Sequence, residues 1–94
     1  MDRNEFKEKA KKSIDELFNK IEKLEQKKEQ ATNDIKSKYD EKIAEIKARK
    51  EDLKAKYKEL ENSSHEEWEE AKANFNSSME SFKEGFSKLA SIFK

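Results

Sequence analysis

Apolar side chains return every three or four residues from Phe6 to Leu60, a spacing that becomes one continuous face only on an α-helix. The positions are Phe6, Ala10, Ile14, Leu17, Ile21 and Leu24, then Ala31, Ile35, Tyr39, Ile43, Ile46, Leu53, Tyr57 and Leu60. Proline is absent and the single glycine is Gly85, so the usual helix stops are missing along this stretch. The stripe predicts one amphipathic helix over about residues 3–61, some 90 Å long at 1.5 Å per residue. The steps through Ile35, Tyr39 and Ile43 leave a strict heptad for an eleven-residue spacing, which relaxes a left-handed supercoil there. Lys28 and Lys50 fall on the seam, where they weaken packing and help to set register.

The remaining faces of this helix carry both signs of charge. Glu5 and Lys9, Glu8 and Lys12, Glu16 and Lys20, Asp34 and Lys38, Glu45 and Arg49, and Asp52 and Lys56 stand four residues apart in the favourable order. Each such pair stabilises by tenths of a kcal/mol and describes a solvated helix face rather than a binding site.

The clearest break is Asn62-Ser63-Ser64-His65. Asn62 suits a left-handed helix end, and Ser64 with Glu67 forms an S-x-x-E capping box. Glu66, Glu67, Glu69 and Glu70 crowd the turns that follow, where the helix dipole favours negative charge. A second helix is expected over about residues 65–93, with a turn at 62–64 and one helical domain spanning 1–94. It presents Trp68, Ala71, Phe75, Met79, Phe82, Phe86, Leu89 and Phe93 on one face, the densest apolar face of the chain. Gly85 beside Phe86 costs about 1 kcal/mol relative to alanine in a helix, which suggests a close approach of another helix there.

A weaker break lies at Ala31-Thr32-Asn33-Asp34, where three residues disfavouring helix sit together and Asn33 can cap. Breaking there gives three nearly equal helices and a monomeric three-helix bundle, the rival architecture. The stripe stays in phase across the segment, which favours the long helix.

Composition points the same way. Valine is absent and Ala, Leu, Glu, Lys and Gln abound, so sheet is excluded. Charged residues make up 47% of the chain and apolar ones 32%, a thin supply for the core of a lone chain, so association with further copies is expected. Lysine and arginine number 22 and so do the acids, which removes the long-range field of a nucleic-acid binder and makes association easier. Without cysteine there are no disulfides and no thiolate metal sites, and no apolar run reaches a membrane span of roughly 18–20 residues. The N-terminus has no apolar stretch of a signal peptide, so a cytoplasmic location is the expectation.

Signals for chemistry are scarce. His65 is the only histidine, and His65-Glu66-Glu67-Trp68-Glu69 lacks the second histidine of a zinc-protease helix. The neighbouring glutamates lie on an exposed helix start and do not converge as an oxygen cage does. The serines lie at a helix start or on a polar helical face without an activating neighbour, and no glycine-rich phosphate loop exists. The expectation is no catalytic, cofactor-binding or metal residues, and no enzyme.

The interaction face predicted from the stripes is therefore Phe6, Ile14, Leu17, Ile21 and Leu24 on the first helix, with Trp68, Phe75, Met79, Phe82, Phe86, Leu89 and Phe93 on the second. Its uses are packing within or between subunits, docking a partner's helix, or lying on lipid. Packing is favoured. Residues 64–94 hold four lysines against six glutamates, the wrong balance for anionic membranes, so the lipid reading is the runner-up.

Some landmarks resemble a family of small bacterial coiled-coil proteins, stress-response or uncharacterised. They are Ile14-Asp15-Glu16-Leu17-Phe18-Asn19-Lys20-Ile21-Glu22-Lys23-Leu24-Glu25, Ile35 to Tyr39, and Ile46-Lys47-Ala48-Arg49-Lys50-Glu51-Asp52-Leu53. Ser63-Ser64 followed by Trp68-Glu69-Glu70-Ala71-Lys72 is the most distinctive, and Ile92-Phe93-Lys94 closes the chain. Where that family commonly has a second tryptophan or alanine-rich positions, this chain has Phe75, Met79, Phe82 and Phe86. The resemblance implies a cytoplasmic helical protein linked to stress and carries over no catalytic residue.

The combined expectation is an all-α helical hairpin or coiled coil, oligomeric, with the second helix folded back antiparallel on the Ile35 to Leu60 half. The Phe6 to Leu24 half is then left for another chain. Function follows as a non-enzymatic, self-assembling protein that presents helical surfaces to a protein partner.

Overall fold

A computed structural model of the chain describes residues 2–93 and is helical almost throughout, with no strand among the described residues. Three α-helices follow in order, α1 over Arg3–Glu29, α2 over Asn33–Asn62 and α3 over Trp68–Ala90, with a 3-10 turn at Ser91–Phe93. The helix expected over 3–61 is thus two helices, and the three-helix alternative describes the chain.

The first reversal needs no glycine and no proline. Gln30 N–H donates to the Lys27 and Lys28 carbonyls and Ala31 N–H to the Lys28 carbonyl, which closes α1. Lys27 and Lys28 in its last turn complement the helix dipole. Thr32 opens α2, its backbone extended at φ −66°, ψ 162° and its Oγ1 accepting from Ile35 N at 3.4 Å. The cap expected at Asn33 is therefore Thr32, one residue earlier. Stopping the helix forfeits three or four hydrogen bonds worth about 1 kcal/mol each, partly recovered by these caps. Covering Ile14, Leu17, Ile21 and Leu24 with the chain's own α2 and α3 contributes roughly 6–12 kcal/mol, so burial wins.

The second reversal is also tight. Asn62 is the last residue of α2 and no described non-glycine residue has positive φ, so the left-handed conformation expected of Asn62 is not used. Ser63 turns the chain in an extended conformation, its hydroxyl donating to the Leu60 carbonyl at 2.9 Å. The capping box forms in both directions: Glu67 N–H donates to Ser64 Oγ at 3.2 Å and Ser64 N–H to Glu67 Oε1 at 3.1 Å. Residues 65–67 make a turn, which delays the regular helix to Trp68.

The helices run up, down and up in a rod of 50 × 18 × 17 Å, so α1 and α3 are parallel and both antiparallel to α2. Leu53, Leu60, Phe82 and Leu89 are fully buried on the axis. α2 and α3 approach closely at Gly85, where a β-carbon would stand 2.8 Å from Ile46 Cδ1. Arg49 Nη1 donates to the Ser81 carbonyl at 2.6 Å beside it, and Ser78 Oγ donates to Asp52 Oδ2 at 2.6 Å a turn away. Asp52 therefore faces α3 instead of pairing with Lys56, which lies 3.9 Å from Glu59. The expected pair of Glu45 and Arg49 forms, at 2.5 Å.

Candidate interaction surface

The two apolar faces, expected to meet different chains, meet each other. Ile14, Leu17, Ile21 and Leu24 of α1 and Phe75, Met79, Phe82 and Leu89 of α3 are buried in one core with Tyr39, Ile46, Leu53 and Leu60 of α2. Phe6, Trp68, Phe86 and Phe93 are half-buried at its margins. The Phe6 ring lies edge-on to Trp68 at 5.6 Å and to Phe75 at 6.1 Å, while Phe93 meets Tyr39 at 6.0 Å at the opposite end. The Phe6 to Leu24 half that was expected to need a second chain is covered by α2 and α3 of its own.

Phe18 lies next to Leu17 rather than on the stripe, and periodicity alone passes over it. It contacts Phe82 at 5.9 Å and forms the floor of a groove between α1 and α2 together with Ile14 and Tyr57. The groove has a volume of about 350 Å³ and is rimmed by Lys11, Lys54 and Lys58, with Asp15 and Glu61 as the acids. Lys50 Nζ stands 4.6 Å and Lys54 Nζ 6.0 Å from the centre of the Phe18 ring. The interaction face predicted from the stripes omits Phe18; the signal that could have found it is a second large apolar residue directly after a stripe position, which widens the face past one neighbour.

Cations cover the other marginal rings in the same way. The Arg3 guanidinium lies 4.7 Å from the Trp68 ring and donates to the Ser63 carbonyl at 2.7 Å, which ties the start of α1 to the second reversal. Lys72 stands 5.9 Å from Phe6, and Lys28 5.3 Å from Tyr39 while pairing with Asp40 at 2.6 Å. Such contacts are worth about 0.5–1 kcal/mol each at exposed sites. The seam lysines Lys28 and Lys50 are thus accommodated over aromatic rings.

Titration is perturbed at scattered points rather than at one centre. Burial, with the Glu25 and Asp40 charges nearby, pushes the Tyr39 hydroxyl up to about 12. Burial also raises Tyr57, and the two Ser64 hydrogen bonds hold the Glu67 carboxyl below its ordinary value. Hydrogen bonding to Asp40 raises Lys28. Among the described residues no three His, Asp or Glu side chains are arranged to hold a metal ion, and His65 is exposed. Ser63, Ser64, Ser78 and Ser91 all serve helix ends or helix contacts. No helix of the described residues is long and apolar enough to cross a membrane. Set against models of known protein families, curated proteins and solved structures, the chain matches none.

Proposed function

We propose that this chain is a non-enzymatic helical interaction protein, one that assembles with copies of itself and presents helical surfaces to a protein partner. The observation that carries the reading is the lysine-rimmed groove over Phe18. It is apolar at its floor, open to solvent and bordered by the antiparallel helices α1 and α2, the form in which an amphipathic helix is received. The formal net charge of +0 removes long-range repulsion between copies. A cytoplasmic role linked to stress is part of this proposal and rests on the sequence resemblance to small bacterial coiled-coil proteins alone.

The experiment is light scattering coupled to size exclusion across a concentration series, followed by partner capture with the native chain and with Lys11→Glu/Lys58→Glu. The reading expects multiples of 11.2 kDa as concentration rises, and a partner lost with the charge reversal. A single 11.2 kDa species throughout, with capture indifferent to the groove, would refute it.

A further inference from the structure

α1 is held differently from the other two helices. α2 and α3 touch at Gly85 and are tied by Arg49 to Ser81 and by Ser78 to Asp52 along their length. α1 stands further off, its gap filled by Phe6, Phe18 and its aliphatic stripe. Among the described residues its polar links to the rest lie at its two ends, Arg3 and Lys7 to Ser63 and Glu61, and Lys28 to Asp40. The α2 and α3 pair is a tight unit, and α1 is a lid on it.

The hinge of that lid is Gln30 to Thr32. Thr32 departs from helical geometry in ψ alone, since its φ of −66° is already that of a helix. The apolar stripe remains in phase from Leu24 through Ala31 and Ile35 to Tyr39, so a straightened hinge yields one continuous amphipathic helix. Straightening restores the helical hydrogen bonds that the reversal forfeits. It also uncovers the α1 stripe and the slot it leaves, and only an identical α1 fills that slot with the same contacts.

We infer that the α2 and α3 face beneath α1 is a docking surface for the α1 of a second copy, giving a two-fold dimer that exchanges α1 through a continuous α1 to α2 helix. This rests on the self-assembly proposed above and specifies its mode. The closed and exchanged forms share every core contact; association costs the dimer its translational freedom, and the hinge returns hydrogen bonds, so concentration selects between them.

Asn33 is the first residue of α2, exposed, and follows an extended Thr32. Proline is favoured at such a position, and its predecessor already has the extended backbone proline requires. Within a continuous helix the same proline clashes with the Glu29 carbonyl and removes a hydrogen bond, a penalty that corresponds to about a hundredfold per hinge. The test concentrates and anneals the native chain, Asn33→Pro and Thr32→Ala, then measures mass by scattering. Each variant's monomer is checked for native melting. Spin labels on Glu22→Cys/Lys47→Cys, diluted with unlabelled chain, report whether the two helices of one chain lie together or in line.

Expected are a native dimer, its loss in Asn33→Pro, and a severalfold gain in Thr32→Ala, where the cap that favours the closed form is gone. In the dimer the labelled pair moves apart to about 37 Å, as 25 residues of continuous helix require. A dimer that survives Asn33→Pro, or keeps the labels close, overturns the exchange while leaving self-assembly in place. Failure of the native chain to dimerise at any concentration overturns both.

Discussion

The Ser78 hydroxyl, buried on α3, donates to the Asp52 carboxylate on the exposed flank of α2 at 2.6 Å. The two partners are not equivalent. Ser78→Ala leaves Asp52 to water and is expected to cost about 1 kcal/mol, whereas Asp52→Ala strands a buried hydroxyl and is expected to cost roughly 1–3 kcal/mol. Urea unfolding of both variants checks the order, and the double variant should resemble Ser78→Ala. Equal losses would mean that the Ser78 hydroxyl finds water.

Tyr39 is 2% exposed, and its hydroxyl has no hydrogen-bond partner among the described residues. Tyr39→Phe is therefore expected to raise stability by about 1 kcal/mol at neutral pH. The unfolded hydroxyl ionises near 10 and the folded one only at about 12. The neutral form's contribution is thus complete below pH 10 and lost as pH rises to 12, a fall of roughly 2 kcal/mol that Tyr39→Phe should lack. Parallel alkaline denaturation curves for the two proteins would contradict this.

At Gly85 two effects oppose. Alanine gains about 1 kcal/mol of helix propensity but places its methyl 2.8 Å from Ile46 Cδ1 and 3.0 Å from Arg49 Nη1, both at the far ends of their side chains, so one of the two must shift. Gly85→Ala is expected to fall within about 1 kcal/mol of the native protein, and Gly85→Leu to lose about 3 kcal/mol as α2 and α3 are pushed apart. Thermal unfolding distinguishes them; a tolerated leucine would show that the helices separate freely.

The capping box predicts a response to acid. Because Ser64 holds the Glu67 carboxyl below its ordinary value, the stabilisation is present above the ordinary carboxyl pKa of 4.5 and is lost as pH falls through the depressed one. Glu67→Ala, which removes the carboxylate that the Ser64 N–H donates to, should melt below the native protein at pH 7 and approach it at low pH, a convergence readable from melting curves at the two pH values.

Lipid binding through Trp68 to Phe93 would require opening the bundle, since Phe75, Met79, Phe82 and Leu89 are buried and Arg3 covers Trp68. Adding vesicles to the closed protein is expected to leave Trp68 fluorescence unchanged. A blue shift would instead favour the lipid-surface reading.

Much of the fold is legible in the chain. Three- and four-residue spacing identifies Ile14, Leu17, Ile21, Leu24, Phe75, Met79, Phe82 and Leu89, all of which are buried, because which face of a helix is apolar depends on local order alone. Ser64 and Glu67 announce their cap for the same reason, and Gly85 marks the close approach by lacking a side chain. Phe18 is less legible, since its burial depends on where Phe82 and Lys50 stand, far away in sequence.

What the residues by themselves determine is helix, its two-sided character and the break after Asn62. The reversal at Gln30 to Thr32 belongs to the tertiary structure. Its residues permit helix and turn within a few kcal/mol of each other, so local preference leaves the choice nearly balanced. The balance is tipped by the face that α2 and α3 present together, which buries the α1 stripe within the same chain and makes the turn worth its lost hydrogen bonds.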